Sequence, residues 1–131
     1  MGIQNTKELI YPELSYQIVG ILFDVYNTIG YGHPEKYYYK AVGTSLAQNN
    51  LSFKKQLVIP LVFKNDKIGN YIIDFVVEDK IVLEVKQGNR FLKGNIKQVY
   101  GYLKSSGLKL GLLVNFTADR IKFKRILNLN S

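Results

Sequence analysis

Residues 71–86 read YIIDFVVEDKIVLEVK, and their pattern predicts the centre of the sheet. Two runs rich in Val, Ile, Leu, Phe and Tyr flank a polar triplet at 78–80, which predicts an antiparallel β-hairpin. Three charged residues interrupt the apolar runs: Asp74, Glu84 and Lys86. Because side chains alternate along a strand, Glu84 and Lys86 lie on one face of theirs.

The length of the connecting loop decides whether Asp74 joins that face. A two-residue loop leaves Glu84 on the face opposite to Asp74. A three-residue loop at 78–80 pairs Val77 with Ile81 and places Asp74 across from Glu84, and a bulge has the same effect. No glycine marks the turn, so turn propensity does not distinguish the two-residue loop from the three-residue loop. We predict the three-residue loop or a bulge, because either gathers the three charged residues on one face.

The charged residues of this hairpin have two interpretations. Burying carboxylates costs on the order of several kcal/mol unless a cation compensates, so Asp74 and Glu84 converging beside Lys86 form a candidate divalent-cation site. The alternative is a half-exposed hairpin in which Val82, Glu84 and Lys86 face solvent and form an ordinary surface ion pair. Spacing alone leaves both open.

Outside the hairpin, hydrophobic periodicity predicts three helices and three further strands. We expect helices at 12–29, 34–49 and 90–106, and strands at 53–63, 68–77, 81–86, 110–114 and 121–124. The α/β order is therefore α-α-β-β-β-α-β-β, with the third helix as a crossover between strands. We expect a single domain over residues 1–131, with an N-terminal tail at 1–12.

Composition and charge restrict the classes of function. The 131 residues contain no cysteine and one histidine, which excludes disulfides, thiol nucleophiles and metal sites built on thiolates or on two imidazoles. No apolar run approaches the roughly 20 residues of a membrane span, so we expect a cytoplasmic protein without a membrane partner. The net charge is +8, and past residue 85 ten basic residues accompany the single acid Asp119. This segregated charge favours nucleic acid as the partner, bound through phosphates with a steep dependence on salt.

Several sequence pieces, in order along the chain, resemble the GxxExxY protein family, a small branch of the PD-(D/E)XK nuclease superfamily. Asp74, followed ten residues later by Glu84-Val85-Lys86, is similar to the Asp…Glu-x-Lys signature of the superfamily. The other pieces are Gly32-His33-Pro34-Glu35-Lys36-Tyr37-Tyr38, Ala41, Gln98, Tyr102-Leu103 and Gly111-Leu112-Leu113-Val114-Asn115-Phe116. The resemblance covers roughly residues 14–127.

This resemblance implies a restriction-endonuclease-like core, a mixed sheet flanked by helices, and metal-dependent hydrolysis of phosphodiester bonds. It implies that Asp74, Glu84 and the main-chain carbonyl of Val85 hold Mg²⁺ or Mn²⁺. Glu35 would join them from the second helix, either as a ligand or through a water.

The resemblance also implies roles around the metal. Lys86 would position or activate the attacking water, and Gln98 would assist from the third helix. Beside such a site, the basic residues of the third helix become candidate phosphate contacts: Arg90, Lys93, Lys97 and Lys104.

The leading hypothesis is an Mg²⁺-dependent nuclease acting on DNA or RNA, with DNA favoured. The alternative is a non-catalytic module on the same fold that binds nucleic acid or assembles into oligomers. An assembly module requires an exposed apolar face, whereas a nuclease requires the Asp, Glu and Lys together, and all three are present. A chain this small has little room for a separate sequence-reading module, so we expect recognition of nucleic-acid shape or backbone, with a possible homodimer that presents two sites.

Overall fold

Helices and strands follow one another in the predicted order in the computed structural model, which describes residues 10–89 and 93–129. The elements are α1 (Pro12–Ile29), α2 (Glu35–Gln48), β1 (Phe53–Phe63), β2 (Asp66–Val77), β3 (Ile81–Gln87), α3 (Lys93–Ser106), β4 (Leu110–Phe116) and β5 (Ile121–Leu127). The predicted start of the third helix, at 90–92, lies outside the described residues. Among the described helices, none is both long and apolar enough to span a membrane.

The five strands form one mixed sheet in the order β1-β2-β3-β4-β5. All neighbours are antiparallel except β3 and β4, which run parallel because α3 carries the chain back between them. Helices α1 and α2 cover one face of the sheet, and α3 covers the other. Every residue of β4 is buried, as its continuous apolar sequence predicts.

The loop between β2 and β3 has three residues, which confirms the predicted register. Val77 pairs with Ile81, and the Lys80 N–H donates to the Val77 carbonyl at 3.0 Å. Glu78 and Asp79 both adopt left-handed backbone conformations at φ 55°. The Glu78 carboxylate accepts hydrogen bonds from the Ser52 N–H at 2.6 Å and hydroxyl at 2.9 Å, which lower its pKa and hold the loop in place.

A glycine sets the distance between α3 and the sheet. A Cβ atom at Gly111 would lie 2.5 Å from the Cγ1 of Val99, which is too close for any side chain. Glycine at this position of β4 therefore lets α3 pack tightly on the sheet.

The outer half of the β1–β2 hairpin exposes apolar side chains. Val58 and Ile72 pair across the two strands and are 57% and 52% exposed. Phe63 and Ile68, near the tip, are exposed to a similar degree. The exposed apolar face that an assembly module requires is thus present on this hairpin.

Candidate active site

The strands β2 and β3 stop pairing through their main chains at the predicted site. Their ladder runs from Val77–Ile81 to Phe75–Leu83. At the next position, the Asp74 N–H donates to Oε1 of Glu84 at 2.6 Å, and the Val85 N–H donates to Oδ2 of Asp74 at 2.8 Å. Each carboxylate therefore takes the place of a main-chain partner, and the two acids are held against each other across the strands.

Burial separates the two interpretations of the hairpin. Val82 is fully buried and Glu84 is 2% exposed, so the half-exposed interpretation is wrong. The Lys86 ammonium lies 3.8 Å from Oε2 of Glu84, and its side chain is partly buried. The structure thus brings Asp74, Glu84 and Lys86 together, because the three-residue loop sets the register.

Glu35 reaches the same place from the start of α2. Its Oε2 lies 3.9 Å from the Lys86 ammonium, and its Oε1 accepts a hydrogen bond from the Gln87 N–H at 3.2 Å. Lys86 therefore contacts acids from β3 and from α2. The Gln87 side chain continues this connection by donating to the Tyr31 hydroxyl at 3.2 Å.

The residues around Glu35 form the turn that positions it. Gly32 has φ 108°, a conformation that favours glycine. The Tyr38 hydroxyl donates to the Gly30 carbonyl at 2.6 Å, and the fully buried ring stacks on Phe116 with centroids 4.5 Å apart. The Gly-x-x-Glu-x-x-Tyr spacing is therefore a structural frame: the glycine permits the turn, the tyrosine anchors it to the core, and the glutamate between them faces the site.

A backbone irregularity marks the position of Asp74 in β2. Gln56 lies opposite Asp74 in the β1–β2 register and has φ 51°, which costs a non-glycine residue about 1–3 kcal/mol. Ile73 packs on the α3 side of the sheet and Phe75 on the α1–α2 side, although residues two apart share a face in a regular strand. The alternation of β2 thus breaks at Asp74.

Burial shifts the protonation of both acids. Desolvation, followed by the charge of Asp74, raises the pKa of Glu84 to about 7, against the opposing effects of the Asp74 N–H and Lys86. Desolvation also raises the pKa of Asp74, although the Val85 N–H and Lys86 lower it. One ammonium therefore does not offset the negative charge that these acids carry when both are ionised.

Sequence reasoning did not single out Gln56 and Gln87, which adjoin the site together with Tyr39. Gln87 fixes Glu35, and Gln56 lies opposite Asp74. Tyr39 stacks on Phe75 at 4.8 Å, and its buried hydroxyl has no hydrogen-bond partner among the described residues. Burial and the charge of Asp74 raise the pKa of Tyr39. Only the position of Gln87, directly after the Glu-x-Lys run, was a signal available in the sequence.

Of the residues predicted on the third helix, Gln98 contacts the strand that carries Asp74. The Gln98 amide donates to the Ile72 carbonyl at 3.0 Å, two residues before Asp74. Lys93, Lys97 and Lys104 are exposed on α3, and Arg90 lies outside the described residues. Gln98 therefore ties α3 to β2 beside the acids.

Within residues 10–89 and 93–129, no three Asp, Glu or His side chains are grouped closely enough to hold a metal ion. Asp74 and Glu84 each accept a main-chain N–H from the other strand, while Glu35 is connected to Glu84 through Lys86. Two side-chain carboxylates are consequently the acidic donors that the site offers to an ion.

The architecture and the paired acids together define a class of protein. A mixed five-stranded sheet with flanking helices, whose elements follow the chain order α-α-β-β-β-α-β-β, is the restriction-endonuclease-like fold. The sequence model of the PD-(D/E)XK nuclease superfamily matches residues 12–126, and the chain belongs to that superfamily. Its members are generally nucleases and typically use Mg²⁺ or Mn²⁺.

A solved structure supports the fold independently. The chain is similar to the protein described as "Crystal structure of SSO0001", with a TM-score of 0.58 and 20% sequence identity. The similarity covers 72% of this chain and 50% of that one, so the present chain spans about half the length of that protein. A comparison with curated proteins finds no match.

Proposed function

We propose that this chain is a divalent-cation-dependent nuclease that hydrolyses phosphodiester bonds, with DNA favoured over RNA. The observation that carries the proposal is the pair of facing acids, Asp74 and Glu84, each bonded to the other strand's main chain beside Lys86. Membership in the PD-(D/E)XK superfamily supports the same reaction.

The chemistry of the acids fits Mg²⁺ or Mn²⁺. Burial raises the pKa of both carboxyl groups, so the site lacks the positive charge that would keep them ionised. Mg²⁺ accepts one or two carboxylates and completes its shell with water and phosphate oxygens. Asp74, Glu84 and the main-chain carbonyl of Val85 would hold the cation. When bound, it supplies electrostatic stabilisation of the charge that accumulates on the phosphate.

The other residues position the reactants. The Lys86 ammonium would orient the attacking water and offset negative charge on the phosphorane. The oxygen of that water bonds to phosphorus as the water gives up a proton to solvent, the bond from phosphorus to the leaving sugar oxygen breaks, and that oxygen takes up a proton from solvent. Glu35 restrains Lys86 from α2, and Gln98 holds the adjoining strand.

Within the superfamily, we assign the chain to the GxxExxY branch. The role of Gly32 and Tyr38 in the turn that carries Glu35 supports this assignment, because the glycine and the tyrosine together fix the position of the glutamate. In this assignment Glu35 and Gln98 would assist catalysis, and Glu35 would help to hold the cation either as a ligand or through a water.

We expect phosphate contacts from α3 to give nucleic-acid binding a steep salt dependence. Replacing Lys97 and Lys104 with glutamine should lower the slope of log affinity against log salt by about 1.4, since each phosphate contact on a single strand contributes about 0.7. Anisotropy titrations of a labelled oligonucleotide over a salt series measure this slope. The double variant of Lys40 and Lys55, which are exposed on the α2 side of the sheet, is the control, and an equal change in it would contradict the assignment.

An assembly role is the second candidate, because the β1–β2 hairpin exposes apolar side chains. This surface would serve a homodimer that presents two sites. The two functions are compatible, and an assembly function alone leaves the buried acid pair without a role.

Incubation of the purified protein with labelled linear, branched and single-stranded DNA and RNA tests the proposal. We expect cleavage with Mg²⁺ or Mn²⁺ and none with EDTA. Sedimentation of the same sample reports the oligomeric state. Binding without cleavage of any substrate under both cations would leave the non-catalytic alternative in its place.

A further inference from the structure

A small apolar cleft lies between α3 and the β1–β2 hairpin, beside the site. Its volume is about 220 Å³, which exceeds the roughly 150 Å³ of a cavity that holds benzene. The rings of Tyr71 and Tyr102 and the apolar side chains of Ile59, Pro60 and Leu61 form most of its lining. Gln98 and Gly101 of α3 also line it. A cleft with these dimensions and this lining suits one flat aromatic ring system.

Gly101 leaves this cleft open. It lies in the interior of α3, where glycine costs about 1 kcal/mol relative to alanine. Its φ is not positive, and a Cβ atom there would meet nothing within 4 Å, so neither conformation nor packing requires glycine. Gly111 differs, because packing against Val99 excludes a side chain there. The open space at Gly101 therefore belongs to the cleft rather than to the helix interface.

Positive charge flanks the cleft. Lys97 is four residues before Gly101 and Lys104 three residues after it, so both lie on the face of α3 that carries the glycine. Both side chains are exposed. Aromatic walls between lysines are the combination by which proteins bind single-stranded nucleic acid: the cations meet phosphates while the bases stack on the rings.

The cleft is connected to the acids through β2. Tyr71 is three residues before Asp74, about 10 Å along an extended strand. Gln98 lines the cleft and also donates to the Ile72 carbonyl, between the two. A nucleic-acid strand whose phosphate lies at Asp74 can therefore place a neighbouring base in the cleft.

We propose that this cleft binds one unpaired nucleobase of the substrate strand, stacked against Tyr71 and Tyr102. The proposal rests on the proposed nuclease function and specifies its substrate as a strand with at least one unpaired base next to the reacting phosphate. A fully paired blunt duplex, whose bases are stacked inside the helix, cannot fill the cleft.

Binding without cleavage tests this assignment. In EDTA, we measure by anisotropy the affinity for a labelled oligothymidylate, for an abasic chain of equal length and for a blunt duplex. Since stacking contributes about 1–3 kcal/mol per base, wild type should bind the oligothymidylate at least about fivefold more tightly than the abasic chain. Binding of the blunt duplex rests on phosphate contacts alone, so its affinity should not change when the cleft is filled.

Substitutions at the cleft should remove the base-dependent part of the affinity. Gly101→Leu fills the cleft and should abolish the difference between the two chains while keeping the abasic affinity, because the lysines remain. Gly20→Leu, at an open position in the interior of α1, is the matched control. Tyr71→Ser should weaken oligothymidylate binding, whereas Tyr16→Ser on α1 should not, and this pair keeps the test decisive if Gly101→Leu does not fold.

Equal affinity of wild type for the two chains, or a full base preference in Gly101→Leu, would overturn the assignment. Equal weakening of blunt-duplex and oligothymidylate binding in Gly101→Leu would do the same. Because EDTA prevents metal-dependent cleavage, these outcomes are independent of catalysis: a cleft that binds bases in a protein that never cuts would refute only the nuclease proposal.

Discussion

Asp74→Asn and Glu84→Gln should each lower divalent-cation-dependent cleavage by at least about 10³-fold, since a bound cation contributes several kcal/mol to the transition state. Each substitution keeps the volume of the side chain and an oxygen that can accept the opposing N–H. Each removes one of the two negative charges that would hold the cation. Initial rates on the substrate that wild type cuts best measure the loss.

The remaining site residues should follow in order of their distance from the acids. Lys86→Gln should lower the cleavage rate about 10²-fold, because it removes the ammonium group that would face the reacting phosphate. Glu35→Gln and Gln98→Ala should lower the cleavage rate about tenfold or less, because Glu35 acts through Lys86 and Gln98 through the main chain of β2. Asp66→Asn and Lys109→Gln, at exposed positions, are the matched controls, with circular dichroism as the measure of folding. Undiminished cutting by Glu84→Gln would show that the activity comes from another site or from a contaminant.

Glu84→Gln should also make the cation-free protein more stable at about pH 8, by about 2 to 3 kcal/mol. In the folded protein, burial and the charge of Asp74 raise the pKa of Glu84 from 4.5 to about 7. The folded state therefore binds this proton more tightly than the unfolded chain does. The neutral amide should remove the cost of a buried charge, and urea unfolding of wild type and variant measures the difference.

The sign of this effect fixes its pH dependence. Below the unfolded value of 4.5 Glu84 is protonated in both states, and its favourable contribution is fully present. As pH rises through the folded value of about 7, the carboxyl ionises in the folded protein and that stability is lost. The gain from Glu84→Gln should consequently be absent at low pH and largest above neutrality. Glu13→Gln, on the exposed side of α1, is the control for the substitution itself.

Divalent cation should reverse this loss of stability. Mg²⁺ should raise the melting temperature of wild type more at about pH 8 than at about pH 5, because protons compete with the cation for the same carboxyl groups. Asp74→Asn should show little of this stabilisation. A melting temperature of wild type that does not respond to Mg²⁺ or Mn²⁺ at either pH would contradict the metal assignment, whatever the pH profile of Glu84→Gln.

The two effects of Glu84→Gln run in opposite directions, with activity lost and stability gained. This is the behaviour of a group retained for chemistry at the expense of the fold. A structural Glu84–Lys86 ion pair would give the opposite result for stability, because Glu84→Gln removes one of the two carboxylates that the Lys86 ammonium contacts.

The elements and their order could be predicted because they depend on local periodicity. The alternation of residues 81–86, the apolar run at 110–114 and the glycines after α1 and α3 determine strands and helix ends within short windows. The register of β2 and β3 was also accessible, since the parity of one loop decides which residues face each other. Asp74, Glu84 and Lys86 could thus be assigned to one place from the sequence.

The strand pairing, the hydrogen bonds and the pKa values at this site depend on the tertiary structure. The sequence contains no sign that β2 and β3 cease to pair at Asp74, that Gln56 distorts the neighbouring strand there, or that Gln87 holds Glu35 beside Lys86. The raised pKa of Glu84 and the cleft at Gly101 likewise arise where elements distant in sequence meet. Desolvation and cavity shape depend on which surfaces come together in three dimensions, and local periodicity encodes only which surface each element offers.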